Sequence, residues 1–419
     1  MSPLSPRSLG ALAAGAATSL GIALLPVGAA VAAPGGPTPS WSSHGLTATS
    51  ILSGTSLQHT YTVSGSENTA MEPLSKPDDI TQLDGVIFAG FQNGVGPQGE
   101  PSTDGNTDST IVALSRSGHA LGQWDIAGKA DGVTADPAIG GVIATVNEDA
   151  NSSLYTITPG PGGVGVVRQY TYSEPLPHNG GTDAISILGR QILISASAPG
   201  ATGPLSAPQP TFPAVYSVTL DPATLIATVS PYFYDEDPAT VANVGSQQGQ
   251  QVNLALTDPD SNEIVPDDAP RFGGDFMLTS QGDQEQIFVN RGWHGNTLSV
   301  LSLTQSVDDT QWANSPGVLY ATDSTNDAID AISGDFPRGP IVAATPCGSN
   351  SAPQTTCPAP GFPANYLGSL NPWTGAVTQL NVGGATFVPQ GGLLFMPSSN
   401  GRDGDGGGNG DQGHDLGDR

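Results

Sequence analysis

Apolar residues in this chain arrive in short runs rather than long stripes. STIVAL (109–114), SLYTIT (153–158), AVYSVTL (214–220) and VLYATD (318–323) are each strand-length and rich in β-branched or aromatic residues, with Gly, Pro, Asn or Asp close by. Such runs predict β-strands joined by tight turns. The 56 glycines and 37 prolines of the 419 residues disfavour long helices, yet they are too interleaved with Val, Ile and Leu to leave most of the chain unfolded.

The runs are themselves repeated. A leading phrase appears as PDDITQLDGVIFAGF (77–91), ADGVTADPAIGGVIATV (130–146) and GGTDAISILGRQILISASAP (180–199). Each has an aspartate, a few small or apolar residues, a glycine and a β-branched run. The leading acids Asp79, Asp131 and Asp183 are spaced by 52 residues. The phrase returns at Asp275 and at Asp309, in an acid-free form from Ala385, and in a degenerate form near Asp237. Between copies lies a second theme, two alternating strands around a turn, as in NYLGSLNPWTGAVTQLNV (365–382). Leader plus second theme makes a four-stranded antiparallel unit of about 40–50 residues, the size of a propeller blade. A single blade cannot bury both faces, so several must pack in a ring.

The sequence therefore predicts an all-β propeller of six or seven blades over residues 46–399. The seventh depends on the degenerate copy. The N-terminal strands of LTATSILSGTSLQHTYTVSG (46–65) would pair with the C-terminal ones to complete one blade and leave no open sheet edge. YATDSTNDAIDAISG (320–334) carries a strand pair that this scheme does not place. A sandwich would lack the long self-similarity, and a parallel β-helix would repeat at a shorter period.

Composition adds the setting. Arg7 followed by a small, apolar stretch and Ala30-Val31-Ala32 reads as a secretory signal over residues 1–32, cleaved between Ala32 and Ala33. Removing it would take one arginine and no acid, moving the formal charge from −27 to −28. So acidic a chain repels nucleic acid and anionic lipid and attracts cations. The reading is thus a released, extracellular, monomeric protein with no membrane insertion and no nucleic-acid partner. Residues 33–45 form a Pro/Gly-rich linker, and 400–419 an acidic, glycine-rich tail without the apolar residues to fold. Cys347 and Cys357 are the only cysteines; outside the cell a nearby pair reads as a disulfide, stabilising by ~2–3 kcal/mol.

At the Asp309 copy, WANSPGVLYATDSTNDAIDAI (312–332) resembles the blade phrase of NHL-type and gluconolactonase-like propellers, and ADGVTAD (130–136) resembles their D-G-[LV]-x-x-D leader. The likeness implies a propeller, and, in gluconolactonase-like enzymes, a divalent cation at the top of the central channel held by Glu, Asn and Asp. Carried over, the resemblance implies Asp131 for the Asp, Asp309 or its neighbour Asp308 for the Asn, and Glu72 in MEPLSKPDD for the Glu. Here Asp replaces Asn, and the Glu phrase lacks its glycine.

Two readings of the leading aspartates stand open. At strand entries, Asp commonly accepts hydrogen bonds from main-chain amides and fixes a turn. Alternatively Asp79, Asp131, Asp183, Asp275 and Asp309 gather at one mouth of the channel, where crowded carboxylates must share protons or recruit a cation, Ca²⁺ by the hardness of its oxygen ligands. NRGWHGN (290–296) offers Arg291, Trp293 and His294, and LPHNGG offers His178, as loop groups for a sugar or carboxylate ligand or simply as loop packing. The chain lacks G-x-S-x-G, H-E-x-x-H, P-loop and Rossmann motifs. What remains is a binding or scaffold module for a small molecule, glycan or protein, with a cation-dependent hydrolase of a lactone or small ester as the alternative.

Overall fold

The computed structural model describes residues 45–177, 180–197, 212–292, 295–346 and 365–398. Ala32, Ala33, His178, Trp293, His294, Cys347 and Cys357 lie outside the described residues, as do the leader and the tail. The described residues form strands and two short 3₁₀ turns, with no α-helix.

Among the described residues the strands form six four-stranded blades. Their innermost strands are Pro77–Leu83 (blade I), Ala130–Asp136 (II), Ile185–Leu188 (III), Pro259–Ile264 (IV), Val307–Ala313 (V) and Leu393–Pro397 (VI). Each innermost strand touches the next, and the one in blade VI touches the one in blade I, so the ring is closed. The degenerate copy near Asp237 is not a seventh blade. Its strands Pro238–Val241 and Gln251–Asn253 extend the outer edge of blade IV.

Closure uses both chain ends: Leu46–Ser53 pairs in parallel with Val382–Gly384 on its outer side. Blade VI runs Leu393–Pro397, Gly317–Asp323, Ala328–Ser333, Leu46–Ser53 from the axis outwards, so the two terminal strands share a sheet with two others between them. Those two are the strand pair the repeat left over. The chain lays the innermost strand of blade V, crosses to build the middle of blade VI, and returns at Gly339–Ala344 to resume blade V. Blades V and VI are thereby interlocked along the sequence. A further hairpin, Gln58–Thr62 with Thr69–Pro73, forms a two-stranded sheet of its own.

Why the strands read as nearly unbroken apolar runs is now clear. Side chains alternate between the two faces of a strand, and in a propeller both faces meet a neighbouring blade. In Gly141–Val146, Ile143 enters the core between blades II and III, while Val142, Ala144 and Val146 enter the one between I and II. In Phe276–Ser280, Phe276 and Leu278 face blade III, and Met277 faces blade V. The buried apolar residues accordingly form six clusters, one per interface, closing with Ile80, Leu114, Ile329 and Met396 between blades VI and I.

Close approach at these interfaces makes glycine necessary near the axis. A Cβ on Gly132 would lie 2.5 Å from the Asp183 carbonyl oxygen and 2.9 Å from the Ala184 Cα of the next blade. Gly132→Ala should therefore destabilise the protein by about 1–3 kcal/mol. Gly383→Ala, whose Cβ would meet nothing closer than 3.8 Å, should leave stability within about 0.5 kcal/mol. Denaturant titration of both variants checks the contrast; equal stabilities would contradict it.

Candidate functional site: an acidic channel mouth

Each innermost strand enters its blade with the same irregularity. In blade I, Pro77 pairs with Phe91 but Ile80 pairs with Ala89, so Asp78 and Asp79 together oppose one partner residue. The same shift falls on Asp131-Gly132, Asp260-Ser261 and Asp308-Asp309. In blade III, Asp183 N donates to Ser195 O, and Ser195 N donates to Ala184 O. In blade VI, Gln390 N donates to Thr322 O and Thr322 N donates to Gly392 O, which assigns Gly391-Gly392 to the pair. These are β-bulges, which re-aim side chains that regular alternation would send to opposite faces.

The second bulge residue always meets the next blade. Asp79 Oδ2 accepts from Val133 N at 2.6 Å and Asp309 Oδ2 from Leu393 N at 2.6 Å, while each Oδ1 accepts from the following amide of its own strand. Ser261 Oγ donates to Asp308 O, and Gly392 N donates to Asp78 O at 2.5 Å. At the remaining interfaces Thr145 Oγ1 donates to Asp183 O (2.6 Å) and Asn262 Nδ2 donates to Ala184 O (2.7 Å). Every interface thus carries a buried polar tie close to the axis.

The first bulge residue faces the channel. Asp78, Asp131, Asp183, Asp260 and Asp308 line one cavity, with Gly391 in the sixth place. Four of these aspartates also line a wider space of about 370 Å³ towards the mouth, together with Lys76, Lys129, Glu148, Gln281 and Gln390. The inner space beneath holds about 60 Å³.

Crowding and burial set the charge state. Burial, reinforced by neighbouring negative charge, drives the carboxyls of Asp78, Asp183 and Asp260 well above the usual range. Burial raises Asp131 to about 8 despite Lys129, and Asp308 to about 6. Burial also lifts Asp79 to about 7, although its oxygens accept two amide hydrogen bonds. Lys129 Nζ lies 2.9 Å from Asp131 Oδ1 and also contacts Glu148 Oε1; burial disfavours its charge, but Asp131, Glu148 and Asp78 outweigh that and raise its pKa. Asp131 Oδ1 further accepts from Gln92 Nε2 at 3.1 Å, whereas its Oδ2 is buried without a partner.

The expected residues are therefore divided. Asp131 and Asp183 stand in the channel ring. Asp79 and Asp309 line the inner cavity but accept main-chain hydrogen bonds, and the channel acids of blades I and V are their neighbours Asp78 and Asp308. Asp275 is not a leading acid. Pro259 pairs with Ser280 and Ile264 with Phe276, so Asp275 sits at the far end of blade IV from Asp260 and accepts from Asn290 Nδ2 at 2.7 Å. Arg291 is exposed on the strand Glu285–Gly292. Glu72 lies on the separate hairpin, where Oε1 accepts from Asn106 Nδ2 (2.7 Å) and meets His59 Nε2 (3.0 Å). The sequence search missed Asp260 because PDSNEI lacks the glycine and β-branched run that marked other leaders; the Pro-Asp pair it shares with Pro77-Asp78 was the available signal.

No family model and no curated protein matches the chain. Among solved structures it is similar in outline to a periplasmic gluconolactonase of Pseudomonas aeruginosa (14% identity, 80% of this chain and 97% of that one, TM-score 0.41). It is likewise similar to a putative 6-phosphogluconolactonase of Bacteroides uniformis (11% identity, 80% and 97%, TM-score 0.38) and to a catalytically inactive virginiamycin B lyase of Staphylococcus aureus (10%, 66% and 99%, TM-score 0.33). These likenesses are distant; the propeller is defined by its own sheet order and closed ring.

The raised carboxyls fix a pH dependence. A carboxyl whose folded pKa exceeds its unfolded value binds more protons when folded, so its stabilising contribution is complete below about 3.8 and is lost as pH rises through the folded value. With Asp308 at about 6, Asp79 at about 7 and Asp131 at about 8, stability in chelator should fall steadily from about pH 4 to about pH 8. Thermal melts across that interval check it; a flat or rising midpoint would contradict the assignment.

Proposed function

We propose that this propeller is a binding module, that its recognition element is the acidic channel mouth, and that the ligand taken there is a hard divalent cation, with Ca²⁺ the first candidate. The observation that carries the reading is the convergence of Asp78, Asp131, Asp183, Asp260 and Asp308 on one buried cavity, with one Asp131 oxygen left without a partner. A buried carboxylate oxygen without a hydrogen bond costs free energy that a cation would recover. The donor chemistry fits a hard ion, since the acids offer oxygen and the ring contains no thiol or imidazole. Among the described residues no three acidic, cysteine or histidine side chains meet at one coordination point as they stand, so uptake would require the ring carboxylates to move inward.

When bound, the ion would neutralise the ring and polarise whatever oxygen a ligand presents at the mouth. Asp183, Asp260 and Asp308 would supply donors opposite Lys129, and Asp79 and Asp309 would keep the blades in place beneath them. Of the ligands that the resemblance offered for a lactone hydrolase, Asp131 and Asp308 reach the ring, Asp309 is committed to main-chain amides, and Glu72 belongs to the hairpin. Binding is thus the better-supported reading. The signal-like N-terminus supports an extracellular setting, where calcium sites of other folds work at about 10⁻⁴–10⁻³ M.

Isothermal titration of the full chain with Ca²⁺ at neutral pH should show saturable uptake in that range. Asp183→Asn and Asp260→Asn should weaken it by about tenfold or more, and Asp275→Asn should leave it unchanged. Absence of saturable uptake, or uptake indifferent to the ring substitutions, would overturn the proposal.

A further inference from the structure

Only two lysines occur in the 419 residues, Lys76 and Lys129, and both line the mouth of the channel. They hold the same place in the repeat, two residues before the ring aspartates Asp78 and Asp131. Lys76 makes no ion pair among the described residues, whereas Lys129 is buried against Asp131 and Glu148. A chain this poor in basic residues has set an ammonium group among the acids of its most negative cavity. Its charge acts on Asp78, Asp131, Asp183 and Asp308 alike.

We propose that Lys129 is a specificity-determining residue: a tethered counter-cation that occupies the Asp131 and Glu148 side of the mouth and reserves the ring for divalent ions. The inference rests on the channel reading above. Being covalently attached, the ammonium competes at a high effective concentration without the entropic cost of capturing a free ion. A free monovalent ion brings the same single charge and gains nothing that the ammonium does not already supply. A divalent ion gains twice the Coulomb attraction and can take the Asp183, Asp260 and Asp308 side or displace the ammonium. The unpartnered Asp131 Oδ2 is the oxygen left over by this arrangement, since both Lys129 and Gln92 engage Oδ1.

The test compares wild type with Lys129→Gln, which keeps a hydrogen-bonding side chain but no charge. Each is titrated with Ca²⁺ at one pH and one ionic strength, in potassium chloride and in tetramethylammonium chloride. The variant should bind Ca²⁺ about tenfold or more tightly than wild type in the bulky salt, and potassium should erode that gain. Wild type should be indifferent to the exchange of salts. Equal or weaker binding by a folded variant, or no competition by potassium, overturns the role of Lys129. Lack of uptake in both proteins overturns instead the reading of the channel. Should the variant fail to fold, selective ¹³C labelling of wild-type lysine gives two side-chain signals. Calcium should move that of Lys129 more than that of Lys76; a stationary Lys129 signal in the calcium-bound protein overturns the proposal.

Discussion

One extra residue at the start of each innermost strand organises the molecule. The bulge puts two side chains where a regular strand would show one, and their tasks divide. The first looks into the channel, and the second meets the next blade, as Asp79 meets Val133 N and Asp309 meets Leu393 N. Holding the ring together and making its mouth acidic are therefore two outcomes of one local geometry. Without the bulge, alternation would send one member of each pair to a blade face, and the acid ring and the tie could not coexist.

The second consequence is electrostatic. Carboxyls at equivalent places in successive blades come together however far apart they lie in the chain, and burial then lifts their pKa values well above the usual carboxyl range. Protonation and the Lys129 ammonium each relieve part of the repulsion. Some of the stability that the apolar interfaces provide is offset at the axis.

Much of the fold was legible in the sequence because its signals are local. Alternating runs such as SLYTIT and glycine-marked leaders such as ADGVTAD fix strands and turns by their own chemistry. The repeat made the ring predictable, since a blade cannot bury both faces alone. Closure of the ring by strands from both chain ends was legible, but the choice between six and seven blades and the strands that lie between those ends were not, because they depend on which distant strands pair. The strand pair 317–333 looked like a surplus unit and is the middle of blade VI. At the channel mouth, Asp131 and Asp183 were named from the sequence, Asp79 and Asp309 stand one residue from the acids that face the channel, and Asp260 was missed. An Asp-Asp pair shows that a carboxylate matters, but only the bulge register says that Asp78 rather than Asp79, and Asp308 rather than Asp309, faces the channel. Glu72 came from a resemblance to a family phrase and Asp275 from a leader-like phrase, and neither carries information about which end or which sheet a side chain reaches.

Five aspartates from five blades present their carboxyl groups to a single cavity, proposed above to hold an ion. Crystals soaked in Mn²⁺ and measured at a wavelength where its anomalous scattering is strong test this most directly. One anomalous peak should appear on the channel axis, bounded by oxygens of at least three among Asp78, Asp131, Asp183, Asp260 and Asp308. An empty channel, with those side chains turned back onto the main-chain amides of their own blades, would contradict it.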